Sequence, residues 1–227
     1  MRTLFLAAAL LVSSSAHSAT VTIVNGDFES TTPLPFGQPS IGPWGMDNIP
    51  GWRATVPRNS GIWRQGTAPT LAPLPGSTQT AWLGISSGST AAIEQDLVAA
   101  IEAATRYVLS VQVGDRSDTP LGSPDGTPGN ATGGSAALLS TSGELLAEQV
   151  FDGLFVQNGW RELLLDFTPT ADDIGKQLRV RLQSDGIQVN FDNVTLTATS
   201  VPVPAAGILL ASALGLPVLR RRRRASP

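Results

Sequence analysis

Through the middle of this chain, apolar and polar residues alternate one by one. Tyr107, Leu109, Val111 and Val113 fall on one side of a segment whose other side carries Ser110 and Gln112. Leu163, Leu165 and Phe167 alternate with Glu162, Leu164 and Asp166, and Leu178, Val180 and Leu182 with Arg179, Arg181 and Gln183. Val194 and Leu196 alternate with Asn193, Thr195 and Thr197. A period of two belongs to a strand with one dry and one wet face. Residues 20–24, 80–85, 91–97 and 145–151 are further strand candidates. Dry faces need each other, so the pattern predicts an all-β antiparallel sandwich of jelly-roll type. Helical signal is confined to residues 98–104, which read equally as a turn or two of helix or as a connection. Residues 31–50 and 115–134 read as long loops, the second with three Pro, five Gly and three Asp in twenty residues. A loop of that length in a compact domain is either functional or disordered.

Both ends break the alternation. Met1 to about Ala19 has Arg2, an apolar run from Leu4 to Val12 and then small residues, the pattern of a secretory signal peptide. Residues 200–227 contain an uncharged stretch from Val201 to Leu219 followed by Arg220–Arg224. Roughly 20 apolar residues can cross a bilayer as a helix, with arginines kept on the cytoplasmic side. The expected organisation is therefore a signal at 1–19, a sandwich domain at 20–199 and an anchor at 200–227. The expected location is the cell envelope or surface, reached by export.

Charge sharpens this picture. All 18 acidic residues lie between the two ends, against nine basic ones, so the middle carries −9 while the whole chain carries −3. That balance argues against nucleic acid as a partner and suits a cation. The chain has no cysteine, and its one histidine, His17, sits at the edge of the signal. A Ser-His-Asp triad, a Cys-His pair and an ordinary zinc site are thereby excluded from the domain. Acid–base chemistry would fall to carboxylates, Lys176 or Tyr107, and any metal would be a hard cation held by oxygen.

Asn25-Gly26-Asp27-Phe28-Glu29, Ile49-Pro50-Gly51-Trp52 and Asn190-Phe191-Asp192-Asn193-Val194 resemble segments of galactose-binding-like, carbohydrate-binding-module-like β-sandwiches. In their order they are most similar to the Stig cyclases, calcium-dependent enzymes that close hapalindole-type rings. That resemblance implies a structural calcium on Glu29 and Asp192, with Asn25 or Asp27 contributing. It also implies that Asp192 corresponds to a proton-donating aspartate. The partner aromatic hydroxyl of those enzymes falls at Trp82, which has no phenolic proton. Val201-Pro202-Val203-Pro204-Ala205-Ala206 with the following apolar and arginine segments resembles the VPLPA variant of PEP-CTERM sorting signals, which implies processing by an exosortase-type enzyme.

Asp192 stands out on physical grounds as well. In a regular last strand it would share the core face with Val194 and Leu196, and a buried carboxylate must be neutralised by a cation, hydrogen bonds or a proton. Among five tryptophans, Trp44 and Trp63 have loop-like surroundings suited to stacking on sugar, or else to packing. Trp52, Trp82 and Trp160 sit beside strand-like runs and read as core, with Trp82 kept as a ligand-binding candidate. Asp115, Asp118 and Asp125 read as a solvated loop or a second cation site, and Arg179 and Arg181 as surface ion pairs or a grip for an anionic sugar. The leading expectation is a calcium-stabilised, surface-sorted domain that binds glycan or matrix polysaccharide. A cyclase-type enzyme with Asp192 as general acid and a purely structural matrix protein are the alternatives.

Overall fold

A computed structural model describes residues 17–29, 44–46, 49–56, 59–64, 74–84, 90–114, 133–152, 159–185 and 188–201. Twelve strands follow one another: β1 Ser18–Val21, β2 Trp44–Met46, β3 Arg53–Ala54, β4 Ser60–Arg64, β5 Gln79–Leu83, β6 Ala91–Ala100, β7 Thr105–Gly114, β8 Gly133–Ser140, β9 Leu145–Asp152, β10 Trp160–Phe167, β11 Gln177–Ser184 and β12 Val189–Ser200. One 3-10 turn, Ala171–Asp173, is the only helical element among the described residues. The first sheet runs β10-β7-β12-β5-β4-β2, with β1 also on β12, and the second runs β3-β6-β11-β8-β9. Every pairing is antiparallel.

The protein is thus an all-β sandwich, as the alternation requires. Tyr107, Leu109, Val111 and Val113 of β7 meet Leu178, Val180 and Leu182 of β11 in one buried cluster that joins both sheets. The segment weighed as helix belongs instead to β6 as far as Ala100, where Val98 stands almost fully exposed at 94%. Strand β8 begins at Gly133, where the alternation predicted the end of a loop. Its sequence GGSAALLS is buried at every position, so no polar face marks it as a strand. Gly134 is required there, because a Cβ would lie 2.2 Å from the Gln183 carbonyl oxygen.

Two departures position the site. First, β12 is not regular: its register slips between Asp192 and Thr195, a β-bulge, with Asn193 at φ 49. Val189 and Phe191 face the core before the bulge, and Val194 and Leu196 after it. Second, one edge of β12 is shared by two partners, β5 against residues 189–191 and β1 against 196–199. The loop after β1 fills the gap between them, its Gly26 carbonyl accepting from the Val194 amide at 2.8 Å. A Cβ on Gly26 would come within 2.4 Å of the Val194 oxygen.

Among the described residues no helix is long and apolar enough to cross a membrane. The tail beyond Val201, most of the signal, and Asp115, Asp118 and Asp125 lie outside the described residues.

Candidate functional site

The bulge decides which way Asp192 faces. It shares a side of the first sheet with Asn190, away from the Phe191 side chain, so the expectation that it lies on the core face with Val194 is corrected. The register lays out two rows across this outer face. One row reads Gly61, Trp82, Asn190, Gly114, Trp160, and each neighbouring pair is directly opposed. The next row carries Trp63 opposite Thr80, and Asp192 opposite Gln112, which in turn opposes Glu162. Outer faces of antiparallel sheets are normally wet. Here Thr80, Asn190 and Asp192 are each 0% exposed, and the flanking Trp82, Gln112 and Trp160 are half-buried.

Those three central residues share a second property. Thr80 Oγ1, Asn190 Nδ2 and Asp192 Oδ2 are buried and meet no well-formed hydrogen bond among the described residues. Native interiors leave very few such atoms, and each needs a reason. Three on one sheet face, between tryptophans, single this face out as the candidate site. The tryptophan ring at 160 lies flat over Gly114, where a Cβ would meet its atoms at 2.8–2.9 Å. Glycine at 114 therefore lets that ring settle next to Asn190.

The Asp192 carboxyl is pushed up to about 7. Burial is the main cause, and the nearby negative charges of Glu29 and Asp27 add to it. The Asn193 amide, donating to Oδ1 at 2.7 Å, and the nearby Ser77 hydroxyl pull the other way. The Ser77 hydroxyl also reaches the Gln79 carbonyl at 2.8 Å and Glu29 Oε1 at 3.2 Å. At neutral pH the group is divided between acid and carboxylate, the condition under which a carboxyl both gives and takes a proton.

The calcium set fares unevenly. Glu29 and Asp192 are brought together, as are Asp27 and Asp192, closely enough for their charges to repel. Glu29 is enclosed by the turn before β5, accepting from the Thr78 amide and hydroxyl, the Gln79 amide at 2.7 Å and the Ser77 hydroxyl. Burial raises its pKa, but these hydrogen bonds outweigh that and hold it below the ordinary range. The Asn25 side-chain amide donates to the Pro50 carbonyl at 3.0 Å, and its own backbone carbonyl accepts from Trp52 Nε1 and the Phe28 amide. Among the described residues no three His, Cys, Asp or Glu side chains gather as a metal group. What fits a hard cation is the pair Glu29 and Asp192, with Asp27 nearby, and the remaining oxygens would come from carbonyls or water.

The aromatic expectations shift too. Trp44 and Trp63 lie in strands β2 and β4 rather than in loops, directly paired. Trp63 is 1% exposed and cannot offer a face to sugar as it stands. Trp52 joins the core as expected, 5.6 Å from the Phe28 ring. Trp82 and Trp160 do not; they flank the site. Tyr107 is in the core, its hydroxyl accepting from the Glu102 amide, far from any role here. Arg179 and Arg181 grip Glu94 rather than a ligand.

Asn190, Thr80 and Gly114 escaped the sequence reading. The signal that could have found Asn190 is the change of phase in the alternation, odd-numbered at Val189 and Phe191 and even-numbered at Val194 and Leu196.

The family model HpiC1-like, described as HpiC1 cyclase, matches residues 19–197. A search of curated proteins finds no match. Among solved structures, a Stig cyclase FisC of Fischerella sp. TAU in complex with (3Z)-3-(1-methyl-2-pyrrolidinylidene)-3H-indole is similar, with TM-score 0.64 and 24% identity over 82% of this chain and 100% of that one. An apo form cyclase from Fischerella sp. gives TM-score 0.65 and 24% identity, covering 82% of this chain and 98% of that one. A cyclase from Fischerella sp. TAU in complex with 4-(1H-indol-3-yl)butan-2-one gives TM-score 0.62 and 23% identity over 82% and 100%.

Proposed function

The chain belongs to the HpiC1-like cyclase family, and from that premise we propose that it is a ring-closing enzyme with Asp192 as its proton donor. The observation that carries this reading is a fully buried carboxyl, poised at about 7, with an unpartnered oxygen on a face walled by tryptophans. Protonated Asp192 gives its proton to a double bond or basic atom of the substrate. An internal carbon–carbon double bond or aromatic carbon then closes the ring onto the cationic centre. Loss of a proton back to Asp192 restores the acid, so the net change is an isomerisation that needs no co-reactant. Trp82 and Trp160 stabilise the cation through their ring faces and keep water from capturing it. With tryptophan at 82, a single carboxyl does the work that a carboxyl and a phenol would share. The indole ligands of the similar cyclases make indole-bearing substrates the first class to assay, and product formation lost on replacing Asp192 is the test. The family match favours this reading over glycan binding.

A second reading rests on the repulsion among Glu29, Asp27 and Asp192. We propose that Glu29 and Asp192, with backbone carbonyls, are where a structural calcium would be held, supplying the positive charge that the gap beside β12 lacks. On that reading, millimolar calcium raises the Tm of the protein and EDTA reverses the rise. No shift in a calcium titration followed by differential scanning calorimetry removes it.

We propose further that the chain is exported and held in the envelope by residues 200–227, with an exosortase-type enzyme acting on the tail. Residues 201–227 fused to a periplasmic reporter are expected to carry it into the membrane fraction; a reporter recovered wholly in the soluble fraction refutes the anchor.

A further inference from the structure

Asn190 sits at the centre of the row that ends in Trp160, with Trp82 on one side and side-chain-free Gly114 on the other. Its amide is 0% exposed. Gln188 Nε2 donates to its Oδ1 at 3.3 Å, which fixes the end of the amide left to donate, and that end, Nδ2, has no partner. A buried donor left unmade is costly, and replacing Asn190 by an apolar residue would remove the cost unless the donor is used. Neighbouring strands lie about 4.8 Å apart, so Trp82 and Gly114 are roughly 10 Å apart across β12, with the Trp160 ring over the glycine. Asn190 thus lies enclosed between the positions of Trp82 and Trp160. Along the same strand, two residues carry the chain about 7 Å to Asp192 on the same face.

Building on the acid role of Asp192, we propose that Asn190 is a specificity-determining residue whose Nδ2 donates a hydrogen bond to a neutral acceptor, a ketone oxygen or imine nitrogen, on a flat bicyclic aromatic substrate. The acceptor sits at the end of the substrate remote from the protonated atom, so that the Asn190–Asp192 spacing sets which atom receives the proton. Glu162, Asp27 and Glu29 give this side of the sheet a negative field, which disfavours an anionic substituent at that end.

The probe pair is 2-acetylnaphthalene and 2-ethylnaphthalene, alike in shape and differing in the acceptor, titrated into the whole protein by isothermal calorimetry. The ketone is expected to bind about tenfold more tightly than the hydrocarbon. In Asn190→Leu the preference is expected to vanish while the hydrocarbon binds as before. In Asp192→Asn the preference is expected to survive, so failure of the acid role and failure of this one are read separately. The Asn190 side-chain NH2 resonances give a measurement independent of any variant's folding: they are expected to move with the ketone and not with the hydrocarbon. Equal affinities in the wild type, no binding of either probe, a preference that persists in Asn190→Leu, or unmoved amide resonances each overturn the proposal.

Discussion

Asp192→Asn is expected to cut ring closure by 10²–10⁴-fold and, in the same protein, to make the fold harder to unfold at pH 8. The first effect is the usual worth of a positioned general acid, about 10²–10⁴. The second follows from where the proton sits. The folded state holds the Asp192 proton up to about pH 7, chiefly because burial penalises the charge, whereas an unfolded aspartate releases it near 3.8. The folded state therefore binds the proton more tightly, and stability falls as pH rises from about 4 through 7. Asparagine keeps the shape and has no charge to bury. The advantage of the variant over the wild type should grow by about 2–3 kcal/mol between pH 5 and pH 8, the span of titration that a shift of this size covers. For a domain of this length that is roughly 4–12 °C in Tm. Wild-type activity should fall as pH climbs past 7, when the donor empties. A variant with lost activity and a Tm advantage that widens with pH identifies a strained acid. A variant less stable at pH 8 than the wild type identifies a carboxylate that the fold needs charged, as calcium ligation would, and the acid reading is then abandoned.

How much of this was written in the chain depends on whether burial left a trace in the alternation. β7, β10 and β11 each bury one face and wet the other, so Val111, Leu163 and Val180 declared themselves. β8 buries both faces, and Gly133 to Ser140 shows no period. The site was hidden for a related reason. Its residues lie on an outer face, where polar side chains are expected, and only coordinates show that Thr80 and Asn190 are shut off from solvent there. The alternation places Asp192 on the core face, whereas the structure buries it on the outer one, opposite Gln112. The bulge that reorients it follows from the loop at Gly26, which takes the Val194 amide that a regular ladder would have used. Trp82 and Trp160 read as core because tryptophan in a strand usually packs inward; here Gly114 makes room for Trp160 on the other side, and Trp82 stands opposite Gly61 and Asn190.

Glu94→Ala is expected to lower stability by about 3 kcal/mol, near the low end of what removing one partner from a buried ion pair costs. Glu94 is 3% exposed and serves three guanidinium groups at once: Arg181, whose Nε donates to Oε1 at 2.8 Å, Arg53, and Arg179 at 3.5 Å. Arg179 keeps Asp96 as a second partner, and Arg53 is 63% exposed, so both can find other solvation; this places the cost at the low end. The corresponding fall in Tm is roughly 6–12 °C. Arg106→Ala is the control within the same molecule, because the Arg106–Asp166 pair is half exposed on both sides and should add little to stability. The two variants falling equally in a thermal melt would show that burial adds nothing to the Glu94 cluster. The consequence reaches the site. Arg53 is the first residue of β3, directly after Trp52, whose indole donates to the Asn25 carbonyl. Next to Glu94, the Gln95 amide ties down both the Val24 backbone and the Gly51 carbonyl. The strand that carries the charge cluster also carries, at Gln95, the clamp on the loop that delivers Glu29 and Asp27 to Asp192 on the other sheet. Loosening it should let those carboxylates retreat, relieve the repulsion that helps hold the Asp192 proton, and move the alkaline limb of the activity profile to lower pH. An unchanged limb in Glu94→Ala, measured well below its Tm, would separate the cluster's role in stability from any role in catalysis.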